Sequence, residues 1–243
     1  MGRHIRSIVP LLLVVALGIS GCSLFGKQEV PENPFKGWDF VDHANKLGDY
    51  WSPGGNPSEV LYIADSTTNS SVPPGQYRLY GEAGDDFAMA NAFFPVSPGD
   101  WELQFRAKMA SLGTFREDVD IDTGSRTADR GFTIGVRFDG TQTFVFGFNK
   151  GILGALNSDE IYVTLDESIL GGNETEFHVW RIVYRHDAKT ATVYKDDVQV
   201  AHFTNVRGRS STAQGGLRIF SAPIDVTGTI DVYVDYIAFR RLD

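Results

Sequence analysis

Glu176-Phe-His-Val-Trp-Arg-Ile-Val-Tyr-Arg185, His186-Asp-Ala-Lys189, Thr190-Ala-Thr-Val-Tyr-Lys195, Asp196-Asp197 and Val198-Gln-Val-Ala-His-Phe203 follow one another without a break. Three short runs of alternating character are separated by two polar turns, which is the pattern of an antiparallel meander. Successive side chains on a strand point to opposite faces, so Trp180, Ile182 and Tyr184 share one side and Arg181 and Arg185 the other. A three-stranded meander cannot bury an apolar face by itself. The remainder of the chain must therefore supply a second layer.

The flanking sequence repeats this grammar. Trp101-Glu-Leu-Gln-Phe-Arg-Ala-Lys-Met109, Tyr77-Arg-Leu-Tyr80, Asp86–Phe94, Ile161–Leu165, Gly216–Ser221 and Ile230–Phe239 all read as strands. Gly131–Phe138 and Thr141–Phe148 flank Asp139-Gly140, the strongest short hairpin signal in the chain. Trp38–Val41 and Val60–Ala64 are shorter candidates, and Gly48–Pro57 reads as a loop from its Gly, Pro and Asn content. Turns recur about every 8–12 residues with no long helical period. No fixed repeat is visible, which disfavours propellers and solenoids. The expectation is an all-β, two-sheet antiparallel sandwich over residues 35–243.

The 243 residues are 42% hydrophobic and 22% charged, an ordinary globular composition. The net charge is −9. Residues 1–21 hold Arg3 and Arg6 and no acid, so the rest is more acidic still. This excludes nucleic acid as a partner, because such binding rests on Lys and Arg neutralising phosphates. It equally disfavours a basic patch on anionic lipid.

A basic start, the apolar run Ile8–Leu17 and small residues before Cys22 make an export signal over 1–21, too short to span a membrane. Ile19-Ser20-Gly21-Cys22 resembles the lipobox of bacterial lipoprotein precursors. That resemblance implies acylation of Cys22, palmitate included, and anchorage in the cell envelope, since two acyl chains hold firmly. Ser23 then implies the outer membrane where the envelope has two. Residues 22–34, with Pro31 and Pro34, read as a tether. Cys22 is the only cysteine, so no intrachain disulfide forms.

The strand segments Trp101–Met109, Val179–Arg185 with Thr192–Asp197, Gly216–Ile219 and Val234–Phe239 together resemble the concanavalin A-like lectin/glucanase superfamily, laminin-G-like modules included, over residues 77–243. The resemblance implies a jelly-roll sandwich whose concave face and rim loops often hold sugars. In its glucanase members an aspartate within Val-Asp-Tyr ligates a structural calcium, and Asp235 is the matching position.

Other candidates come from the residues directly. Asp118, Asp120 and Asp122 alternate so that an extended chain would line them on one face. They offer calcium ligands with Asp129 as a closing oxygen, or a carboxylate pair for glycoside hydrolysis, or simply a solvated acidic loop. Thr123 stands where an EF-hand needs Gly, and the glutamate-aspartate-glutamate pattern of laminarinase-type hydrolases is missing. Tyr50 and Trp51 in the Gly/Pro-rich segment are the leading aromatic platform for a sugar, with Trp38 next. Trp101, Trp180 and the stripe Phe144, Phe146 and Phe148 are expected in the core. Arg207, Arg209 and Arg218 suit acidic sugars or a solvated rim. Scattered histidines exclude a zinc site, and no nucleophile elbow, phosphate loop or dinucleotide fingerprint occurs. These readings point to a tethered lipoprotein that binds glycan without cleaving it. The alternatives are a glycoside hydrolase built around Asp118–Asp122, and a structural or adhesive protein with an envelope-protein partner.

Overall fold

The computed structural model describes residues 34–43, 51–55, 62–63, 76–82, 88–115, 131–149, 152–156, 161–164, 176–212, 214–222 and 226–242. Cys22, Tyr50, Asp118, Asp120 and Asp122 lie outside them. The chain divides into Met1–Lys36 and Gly37–Asp243, and every described strand belongs to the second unit.

The described residues contain no helix, and so none long and apolar enough to cross a membrane. They form sixteen strands: β1 Phe40–Asp42, β2 Trp51–Gly55, β3 Tyr62–Ile63, β4 Tyr77–Glu82, β5 Ala88–Phe93, β6 Trp101–Phe115, β7 Gly131–Arg137, β8 Gln142–Asn149, β9 Ile152–Leu156, β10 Ile161–Thr164, β11 His178–Arg185, β12 Thr190–Lys195, β13 Val198–Phe203, β14 Arg209–Ser210, β15 Gly216–Ala222 and β16 Val226–Arg241. Two eight-stranded antiparallel sheets result. Sheet A runs β13-β12-β11-β6-β16-β4-β3, with β1 beside the second half of β16. Sheet B runs β10-β9-β8-β7-β15-β5-β2, with β14 against the start of β8.

The meander folds as its alternation predicts. Trp180 pairs with Lys195 and Tyr184 with Ala191, and the buried positions of β11 are Trp180, Ile182 and Tyr184. Its tight turn is made by Asp196 and Asp197, both at positive φ (48° and 63°). Two such residues in succession give the primed turn whose twist suits a hairpin, here without glycine. Asp196 is locked by Val179, whose N–H donates to its Oδ1 at 2.9 Å, and by His178 at 2.5 Å. The Asp139-Gly140 hairpin also forms, joining β7 to β8 with Gly140 at φ 63°.

Between the sheets lies one aromatic core. Trp101, Phe105, Trp180 and Phe239 from sheet A meet Phe132, Phe144, Phe146 and Phe148 from sheet B, all at 1% exposure or less. Trp101 stacks on Tyr184 at 5.3 Å and meets Phe144 and Phe146 edge-on at about 6 Å, within the range of favourable ring pairs. Trp180 meets Phe148 edge-on at 5.1 Å.

One expectation is corrected. Trp51–Gly55, read as a loop, is the edge strand β2. Pro53 lacks an N–H and is excluded from central strands, but an edge strand pairs on one side only, here with β5. Strand β9 has no counterpart among the expected strands, and β6 and β16 extend several residues past their apolar runs.

Asp100 joins the sandwich end to the turn after β11. Its Oδ1 accepts from the His186 N–H at 2.7 Å and its Oδ2 from Arg185 Nη1 at 2.9 Å. These bonds to the charged form hold its carboxyl below the ordinary carboxylate value. A depressed carboxylate contributes stability above its unfolded pKa that is lost as pH falls through the folded value. Asp100→Asn should therefore destabilise at pH 7, and the gap to the parent should close below about pH 4, read from denaturant midpoints across pH. Trp180→Ala should cost about 3–5 kcal/mol by chemical unfolding, because the vacated volume lies between two rigid layers.

Candidate functional site

The outer face of sheet A carries many charges, and they face one another. Arg78 donates to Asp231 through Nε at 2.8 Å, and Arg240 donates to Glu102 through Nε at 2.9 Å. Lys108 lies 4.1 Å from the Tyr233 ring centroid, and Arg181 lies 4.0 Å from that of Tyr194. Arg106 Nη1 donates to Asp235, the position expected to ligate calcium. Asp235 is the extra residue of a bulge between Val234 and Tyr236 opposite β6. The bulge turns Tyr236 outward as well, where its hydroxyl accepts from Gln104 Nε2 at 2.7 Å. A cation at Asp235 would compete with a guanidinium already in contact. Among the described residues no three His, Cys, Asp or Glu side chains converge as a metal would need.

Trp38 is half-buried, and the Arg240 guanidinium covers one face of its ring at 4.6 Å. The register places Trp51 opposite Ala92 on β5. Trp101, Trp180 and the three phenylalanines of β8 are in the core as expected.

Part of the face of sheet B turned away from the core is buried as well. Thr133 and Arg137 on β7, Thr143 and Val145 on β8 and Asn91 on β5 are all under 9% exposed. Arg137 donates from Nη2 to Asn91 Oδ1 at 2.8 Å and lies 5.6 Å from the Phe93 ring centroid. Its burial pushes the guanidinium pKa down. Across the eight strands of this sheet there is no Asp or Glu.

An open cavity of about 300 Å³ remains at the end of the sandwich where the two sheets meet. Tyr184, the last inward residue of β11, and His186 and Lys189 of the following turn form its sheet A side. Gln142 at the start of β8 and the segment Val206–Gly208 form the other. Three local features build it. The Val206 N–H donates to the Lys189 carbonyl at 2.8 Å, tying segment to turn. Lys189 itself takes φ 52°, closing the turn. Gly208 lies so close to β8 that a Cβ there would stand 2.8 Å from Gln142 Cβ and 2.9 Å from the Phe144 ring. The floor is rigid, since Tyr184 is wedged against Trp101 and Phe144.

Among the described residues the polar side chains lining this cavity carry a guanidinium, an ammonium, an imidazole, an amide and the Tyr184 phenol. Neither Lys189 nor Arg207 forms an ion pair among the described residues, although both are exposed. His186 Nδ1 is buried without a hydrogen-bond partner. Arg207 is a candidate on sequence grounds; His186, Lys189 and Gln142 are not. The sequence marks 186–189 as a turn, but nothing local signals its meeting with a segment seventeen or more residues later.

No family model matches the chain, and no curated protein matches it. Solved structures do match in shape. A sialidase aligns with TM-score 0.51 at 9% identity over 80% of this chain, which spans only 17% of that protein. Arcelin-5, a lectin-like defense protein from Phaseolus vulgaris, aligns with TM-score 0.50 at 13% identity over 82% of this chain and 96% of its own. The Bacillus licheniformis β-glucanase aligns with TM-score 0.50 at 11% identity over 85% and 99%. Two antiparallel sheets in this order, superposable on a lectin-like protein and a glucanase alike, give the unit Gly37–Asp243 the concanavalin A-like lectin/glucanase jelly-roll fold.

Proposed function

We propose that this chain is a lipid-anchored envelope protein whose sandwich binds glycan without cleaving it. The observation that carries the reading is the open polar cavity at the rim of a concanavalin A-like sandwich. Sites that take small ligands are concave, with a few placed polar groups, and about 300 Å³ is the lower end of their usual volume. The fold is shared with proteins named for glycan chemistry, a sialidase and a β-glucanase among them. Fold alone does not assign function, so the weight rests on the cavity.

The absence of cleavage is supported by the composition of sheet B. Glycoside hydrolysis generally needs two carboxyl groups flanking the scissile bond, and no strand of this sheet supplies one. The acidic segment Glu117–Asp122 lies outside the described residues. The anchor rests on the lipobox-like Ile19–Cys22.

An oligosaccharide array probed with the purified chain should show retention without release of reducing ends. A blank array removes the glycan reading. Reducing ends that vanish on Asp120→Asn establish a hydrolase instead. Trp51→Ala is expected to weaken retention severalfold if the aromatic segment Tyr50–Trp51 contributes to the surface. In fractionated cells Cys22→Ser should move the protein from the membrane pellet to the soluble fraction, and persistence in the pellet would remove the anchor.

A further inference from the structure

We infer that the rim cavity selects glycans bearing a negative charge, taking the anionic group of an acidic sugar between Arg207 and Lys189. This rests on the glycan reading above and specifies its ligand. Charge decides the class. The chain is acidic overall, and the cations on the outer face of sheet A are matched by carboxylates or held over aromatic rings. The cavity breaks that pattern. Among the described residues its lining includes Arg207, Lys189 and His186 and no carboxylate.

Two acids stand nearby, and neither is among the lining residues. Asp100 is engaged with Arg185 and with the His186 N–H. Asp187 is exposed on the same turn and is not part of the lining. An arginine fork and a lysine ammonium facing one space suit a carboxylate or a sulfate ester, because charge-assisted bonds to such groups are shorter and stronger than neutral ones. Gln142 supplies a neutral polar contact for ring hydroxyls beside that charge. With a net charge of −9, indiscriminate adhesion of polyanions is opposed by the molecule as a whole. Selectivity for a charged sugar would therefore come from the cavity.

The test is calorimetric titration of the full chain with three short oligosaccharides: uronate-containing, sulfate-ester-containing and neutral. The parent should bind at least one charged oligosaccharide at least tenfold more tightly than the neutral one. Which of the two it prefers identifies the anion. Arg207→Ala and Lys189→Ala should each weaken the charged ligand by about tenfold or more. Both side chains are exposed, so unfolding midpoints should stay at the parent value. Arg207→Lys should retain part of the affinity.

Undiminished binding of the charged ligand by both alanine variants would overturn this site while leaving the glycan reading intact. Equal or tighter binding of the neutral ligand would overturn the charge selectivity alone. Failure of all three oligosaccharides, together with a blank array, would remove the glycan reading and this inference with it.

Discussion

The indole of Trp101 is the contact on which this architecture turns. It opens β6, one of the two long strands at the centre of sheet A, and touches Tyr184 and Phe239 on its own sheet and Phe144 and Phe146 on the other. Both layers are thereby fixed at the same end of the sandwich, where the cavity opens. Rings of this size contribute through area and through edge-on geometry, each pair adding about 0.5–1.5 kcal/mol beyond burial. The floor beneath Arg207 and Lys189 is thus continuous with the core. Charged groups above it are presented by loops on a rigid base, the usual division of labour between scaffold and site.

The two sheets use their outer faces differently. Sheet A shows water a lattice of matched charges and cation-covered rings, a face of which isolated pairs contribute only up to about 1 kcal/mol each. Its value is solubility and register more than stability. Sheet B hides polar groups such as Thr133 and the Arg137–Asn91 pair. Burial on both sides explains why β7 and β8 read as nearly continuous apolar and small residues, with little of the alternation seen in β11.

That contrast marks how far the sequence could be read. Where one face meets water, as in β11 and β12, alternation named both the strand and its inward residues. The Asp139-Gly140 turn and the stripe Phe144, Phe146 and Phe148 were legible for the same local reasons. Strand β2 was not, because Gly and Pro are penalised by rules drawn from central strands and relaxed at an edge. The cavity was least legible of all. His186 and Lys189 are unremarkable turn residues until Val206–Gly208 settles against them, and that contact depends on long-range topology. For Asp235, the family pattern carried no sign of the Arg106 guanidinium that the fold brings beside it.

The bulge at Asp235 has a consequence for how this chain tolerates change. By doubling one outward position it resets the parity of β16, so that Val234 and then Ile237 and Phe239 all face inward. The strand behaves like a reading frame. Loss of Asp235 alone would remove the bulge and restore simple alternation, with Val234, Ile237 and Phe239 still inward, whereas loss of a residue from a regular part of the strand would turn every later side chain over. Length at this point is under looser constraint than along the regular parts of the strand. Omission of the aspartate would cost the bulge and the Arg106 contact but leave the inward set of the strand in place.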